Sequence, residues 1–224
     1  MNPLRQADNA RQVTRYNRTV IAFEDKMREG GARAPEEAER FFMKDDAVHK
    51  TLRSMAARLD ELRIDYAVVG GMALVAHGYE RTTVDVDILL TSEGNRRVRE
   101  HLDGRGYVPP LAGSRNLRDT QTGATIKFLI AGEFPGDGKP KPVAFPDPAG
   151  VAVEIDGIRY LRLEKMIEPK LASGMTNPNR LKDLADVQEL IRTLRPPRML
   201  GENLDEFVRG RFFELWDGLQ SEWT

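Results

Sequence analysis

Two aspartates set one residue apart in an apolar run, Val84-Asp85-Val86-Asp87-Ile88, are the residues of this chain best placed to do chemistry. Strand side chains at i and i+2 share a face, so both carboxylates project together while Val84, Val86 and Ile88 are expected in a core. Adjacent carboxylates repel unless a positive charge lies between them. A divalent cation, Mg²⁺ or Mn²⁺, held by one or two carboxylates together with substrate phosphates meets that need. Upstream, Tyr66–Val69 is an apolar run ending in Gly70-Gly71, and Met72–His77 reads as a short helix stopped by Gly78. A strand that hands a glycine pair to a helix N-terminus offers backbone N–H groups to a phosphate.

Phosphate donors beside a metal-binding acid pair describe a nucleoside triphosphate site. An amphipathic strand with one wet face would give the same Val/Asp alternation for no functional reason. The functional reading therefore depends on the glycine pair, the spacer 72–84 and a Lys/Asp-rich helix further along.

The elements that must position these residues are legible around them. From Asp46 to Leu62 the apolar positions Val48, Leu52, Met55, Ala56, Leu59 and Leu62 recur at three and four, an amphipathic helix to lie on a sheet. Ser92 is expected to cap a helix through Leu102, Tyr107-Val108 reads as an edge segment, and 123–130 (GATIKFLI) as a buried strand. The stretch 131–150 is dense in Gly and Pro, carries Lys139 and Lys141, and is too long for an ordinary connection, so it is either a functional loop or a flexible one. Val151–Ile155 and Ile158–Leu161 form a hairpin about Asp156-Gly157. A helix follows through Lys170, with a kink or break expected at Pro169, and Asn177-Pro178 opens another whose buried face includes Leu181, Leu184, Ile191 and Leu194. On that helix Lys182 and Asp186 stand i, i+4, and a surface salt-bridge network explains Arg180, Lys182, Asp183 and Asp186 as well as a site does.

The run Val69-Gly70-Gly71, the spacer and Asp85-Val86-Asp87-Ile88 resemble the signature of the polymerase-β-like nucleotidyltransferase superfamily. Arg81-Thr82-Thr83, Lys170-Leu171-Ala172 and Arg180–Asp186 are similar to the small bacterial AbiEii-like type, grouped with abortive-infection toxins. The resemblance covers roughly residues 56–194. It implies Mg²⁺-dependent transfer of a nucleoside monophosphate from a triphosphate to a hydroxyl of RNA, such as a tRNA end, or of a protein, within a toxin-antitoxin or abortive-infection system that would add a cognate antitoxin as partner. Asp85 and Asp87 are then catalytic and metal-holding. Gly70, Gly71, Arg81, Lys127, Lys170, Lys182 and Asp183 contact the nucleotide, with Lys170 clamping phosphates. The family strand matching Ile126–Leu129 usually carries a third acid, and Lys127 stands there instead. A protonated lysine can neither ligate a metal nor act as a base. Glu133, Glu154 and Asp156 are the substitute acids to consider, Glu154 first, and a catalytically impaired, nucleotide-binding or partner-binding regulator is the alternative reading.

Bulk properties narrow the class further. With 34 Lys plus Arg against 35 Asp plus Glu the formal net charge is −1, so overall charge does not favour a polyanion. The absence of cysteine removes disulfides, thiolate metal sites and cysteine nucleophiles. No apolar run approaches the length of a membrane span, so a cytoplasmic protein without membrane contact is expected. The expected architecture is α/β (α+β): a short mixed sheet of Tyr66–Val69, Val84–Leu90, Thr125–Ile130 and Val151–Ile155 with helices on one side. An N-terminal helical arm would occupy 1–45, the nucleotidyltransferase-like domain 46–195, and a C-terminal amphipathic helix 196–224.

Overall fold

The computed structural model describes residues 46–79 and 81–223, so the expected arm at 1–45 lies outside the described residues. The apolar runs pair into a seven-stranded mixed sheet: β1 (Tyr66–Val69), β2 (Asp85–Leu90), β3 (Tyr107–Val108), β4 (Leu117–Asp119), β5 (Thr125–Ile130), β6 (Ala152–Ile155) and β7 (Ile158–Leu161). Their spatial order is β3-β4-β5-β2-β1-β7-β6. The acid-bearing β2 is thus an inner strand, antiparallel to β1 and parallel to β5. The hairpin β6–β7 turns through Asp156 and Gly157, both at positive φ (52° and 75°), as a two-residue turn matched to strand twist requires.

Register divides the sheet into two faces. Val86 and Ile88 align with Ile126 and Phe128 on β5, and all four are buried. Asp119 and Tyr107 fall on this same face through the β4–β5 and β3–β4 pairings. Helix α1 (Ala47–Glu61) covers it, with Thr51 Oγ1 donating to Asp119 Oδ2 at 3.0 Å and Ser54 Oγ lying 2.8 Å from the Tyr107 hydroxyl. Helix α3 (Ser92–Leu102), capped by Thr91 rather than Ser92, lies on that side too, its Gly94 against Ile64 and Leu90. The opposite face carries Asp85, Asp87 and Lys127, and there α2 (Gly70–Ala76) and α4 (Leu163–Thr176) approach. Helices therefore bracket the sheet from both sides rather than from the one side expected, because both faces of the inner strands are apolar beyond the acids.

Helix α4 runs through Pro169 without a break, and α5 (Leu181–Leu194) follows a 3-10 turn at Pro178–Arg180. Helix α6 (Glu206–Gly218) packs on α4 and α5 and brings Val208 and Phe212, both 0% exposed, into the same core as the sheet. No described helix is long and apolar enough to cross a membrane.

Two expected core positions are exposed. Val84 is 80% exposed because β2 pairs only from Asp85 onward, and Leu181 is 65% exposed at the end of the 3-10 turn.

Candidate functional site

The acids are set by β2 and framed by its neighbours. Asp85 aligns with Thr125, and Asp87 with Lys127 on one side and Val69 on the other. Gly70 follows Val69 at φ +64°, and a Cβ there would lie 2.1 Å from Asp87 Oδ2. A Cβ on Gly71 would lie 2.7 Å from the Cβ of Thr83. The glycine pair is thus required for packing: it lets the first turn of α2 lie directly against the acid strand, and Gly70 also adopts a backbone conformation that side chains resist. Thr83 Oγ1 donates to Asp85 Oδ1 at 3.2 Å, which orients that carboxylate.

A cleft of about 360 Å³ opens over these groups. Gly70, Gly71, Arg81, Asp85, Asp87, Lys170, Lys182 and Asp183 all line it, so eight of the nine residues singled out in the sequence meet in one place. The ninth, Lys127, is not in the lining but ion-pairs directly with Asp85. Lys170 arrives from α4 with Nζ 2.6 Å from Asp186 Oδ2 and 3.9 Å from Asp183 Oδ1. Asp183, only 5% exposed, accepts a bidentate pair from Arg180 at 2.9 and 3.0 Å. That pair keeps the Arg180 guanidinium and the Asp183 carboxylate together in the cleft lining. Asp186 takes Lys170 instead of its i, i+4 neighbour Lys182, which is exposed on the rim.

Burial pushes the Asp87 carboxyl up to about 6 and the neighbouring Asp85 adds to this, while Lys127, Lys170 and Arg81 oppose it. Hydrogen bonding to Asp85 in turn raises the Lys127 ammonium above its ordinary value. Replacing Lys127 with methionine is expected to move the Asp87 carboxyl above about 6, since one opposing charge is gone. Titration of the carboxyl carbon by NMR reads this, and an unchanged or lower value contradicts it.

The substitute acids do not reach the pair. Glu154 is on β6, at the far edge of the sheet and beyond β1 and β7, and is exposed. Asp156 is in the hairpin turn, and Glu133 accepts from Arg115 at 2.8 Å. Among the described residues no group of three metal-ligating side chains occurs. Two carboxylates remain, a donor set that suits Mg²⁺ retaining water and phosphate oxygens and does not make an all-protein cage. The repulsion and burial that raise Asp87 are what a bound cation relieves, so the residues present fit such an ion.

The sequence alone leaves 131–150 open between a functional and a flexible loop. Pro135, Gly136 and Phe145 from it line a second cavity that adjoins Asp87. Its Gly and Pro density, with its length, was the available signal.

No family model matches the chain, and no curated protein does. Solved structures do resemble it. A Thermotoga maritima protein assigned as a nucleotidyltransferase is 16% identical, covering 63% of this chain and 91% of that one, with a TM-score of 0.42. ANT(2'')-Ia, solved with adenylyl-2''-tobramycin, is 15% identical over 78% of this chain and 98% of its own, with a TM-score of 0.44. A Helicobacter pylori protein assigned as a nucleotidyltransferase is 15% identical over 77% and 93%, with a TM-score of 0.43. At such identities and TM-scores the likeness concerns backbone arrangement and extends no further.

Proposed function

We propose that the protein transfers a nucleoside monophosphate from a nucleoside triphosphate to an acceptor hydroxyl. The observation that carries this reading is the convergence of the acid pair and the cations Arg81, Lys170, Arg180 and Lys182 on one cleft. Asp85 and Asp87 are the residues to hold Mg²⁺, which when bound supplies charge neutralisation on the phosphates and on the pyrophosphate leaving group. Lys170 and Arg81 attract and orient the triphosphate. Gly70 keeps the first turn of α2 close enough to the acids for both to address the same phosphate. Thr83 and Lys127 fix Asp85. The acceptor oxygen attacks the α-phosphorus, the bond to the bridging oxygen breaks, pyrophosphate departs with the electron pair, and the hydroxyl proton passes to water.

The assignment to an AbiEii-like toxin type, with a cognate antitoxin, rests on the motif resemblance alone. One specific observation favours a second reading, a nucleotide-binding regulator without turnover: Lys127 holds Asp85 where the family resemblance calls for a third acid. Incubation with each α-labelled ribonucleoside triphosphate and Mg²⁺, with pyrophosphate release followed in parallel, separates the two. Turnover that rises with Lys127→Asp identifies a decayed enzyme. Turnover that falls with it makes Lys127 a working residue, and binding without any turnover in either protein supports the regulator.

A further inference from the structure

Beside the polar cleft, and sharing with it Gly70, Asp87, Lys170, Arg180 and Asp183, lies a lobe of about 220 Å³. Its walls are apolar: Val69, Leu129, Phe145, Leu161, Met166 and Pro169. The charges at its edge are answered within the chain. Lys165 donates to Glu168 at 2.7 and 3.0 Å, and Glu168 also accepts the Asp205 N–H at 2.8 Å. Arg180 is taken by Asp183, and Lys170 by Asp186. A polycation finds no spare carboxylate here beyond the acid pair, and the apolar walls offer a polyanion no cation of their own. Desolvating an unmatched charge against such a lining costs several kcal/mol.

One polar atom in the lining is unanswered. Ser173 is 1% exposed and its Oγ has no hydrogen-bond partner. Such a buried hydroxyl costs about 1–3 kcal/mol unless something satisfies it. It lies against Gly136, where a Cβ would come 2.5 Å from that oxygen. The loop forming this wall is tied down: the Gly132 N–H donates to the Phe145 carbonyl at 2.8 Å, the Phe145 N–H to the Glu133 carbonyl at 2.9 Å, and Lys141 Nζ to the Pro135 carbonyl at 2.5 Å.

We infer that this lobe is the acceptor pocket, and that the acceptor is a small uncharged molecule whose apolar, ring-sized body carries the hydroxyl. The inference rests on the nucleotidyl-transfer reading. The two cavities meet at Asp87 and Lys170, so a body seated in the lobe presents its hydroxyl to a phosphate seated in the cleft. In the step, the acceptor oxygen bonds to the α-phosphorus, the α–β bridging P–O bond breaks, pyrophosphate takes the electron pair and the hydroxyl proton passes to water.

Thermal stabilisation of the full chain by 4-hydroxyphenylethanol and cyclohexylmethanol tests this, with tobramycin as a polycationic probe and a CCA-ended RNA hairpin as a polyanionic one. Each is measured alone and with the four ribonucleoside triphosphates and Mg²⁺. The uncharged alcohols are expected to stabilise at millimolar concentration, additively with a triphosphate. Phe145→Ala is expected to weaken them about tenfold and Ser173→Ala by about 3- to 10-fold, the loss of one hydrogen bond, with triphosphate stabilisation retained in both. If Phe145→Ala fails to fold, Ser173→Ala decides alone. Stabilisation by tobramycin or RNA only, no stabilisation by either alcohol, or alcohol binding unmoved by these variants overturns the inference. Competition between alcohol and triphosphate overturns it as well, because the lobe then holds the nucleobase. Alcohol binding without any triphosphate binding instead sinks the nucleotidyl-transfer reading, and the acceptor role with it.

Discussion

Asp87→Asn is expected to stabilise the ligand-free protein above pH 7 by about 3 kcal/mol. The carboxyl titrates at about 6 in the folded chain against 3.8 ordinarily, so between these values the folded state holds a proton that the unfolded state has lost. Folding stability from this group is therefore fully present below about pH 3.8 and is lost as pH rises through about 6. Two pH units at about 1.4 kcal/mol each give the stated magnitude. Asparagine, nearly isosteric and uncharged, avoids the loss. Urea denaturation of both proteins at pH 4 and pH 8 should give nearly equal stabilities at the lower pH and a gap of about 3 kcal/mol at the higher. A gap independent of pH, or an asparagine variant less stable at pH 8, contradicts the electrostatic account of the site. A group that destabilises its own fold at working pH is characteristic of sites shaped for ligand binding.

The second large effect is on chemistry. Replacing both acids, Asp85→Asn with Asp87→Asn, is expected to lower nucleotidyl transfer by about 10³- to 10⁴-fold, or roughly 4–5.5 kcal/mol of transition-state stabilisation. Both carboxylates face one cleft and no other described acid replaces them, since Asp183 and Asp186 are committed to Arg180 and Lys170. Pyrophosphate release at saturating triphosphate reads the change. A double variant within tenfold of wild type would remove the acids from the reaction.

Much of this arrangement was legible in local sequence. Strands β1 and β5 begin and end where their apolar, β-branched runs do, and the acid pair with its glycine partner was visible from spacing. Long-range placement was not. Glu154 looks adjacent to the site by strand type, yet sheet order puts β6 at the far edge, and no periodicity encodes that order. Helical spacing pairs Lys182 with Asp186, but the packing of α4 on α5 brings Lys170 there first. Val84 continues the alternation of β2 while lacking a strand partner to bury it. The loop containing Pro135, Gly136 and Phe145 has no periodic pattern, so its place in the cavity wall emerges only from tertiary hydrogen bonds. The glycine pair, expected from sequence as a phosphate cradle, is required for packing against Asp87 and Thr83.

The central claim, that the acid pair and its cations form a metal–triphosphate site, is tested most directly by thermal stabilisation with each ribonucleoside triphosphate, with and without Mg²⁺. Wild type and the Asp85→Asn/Asp87→Asn protein are compared. A triphosphate at about 100 times its dissociation constant should add about 2.7 kcal/mol to the folded state. Stabilisation of wild type that needs both the metal and the two carboxylates is the predicted result. Stabilisation that is equal in the double variant or without metal, or no stabilisation by any of the four, would contradict it.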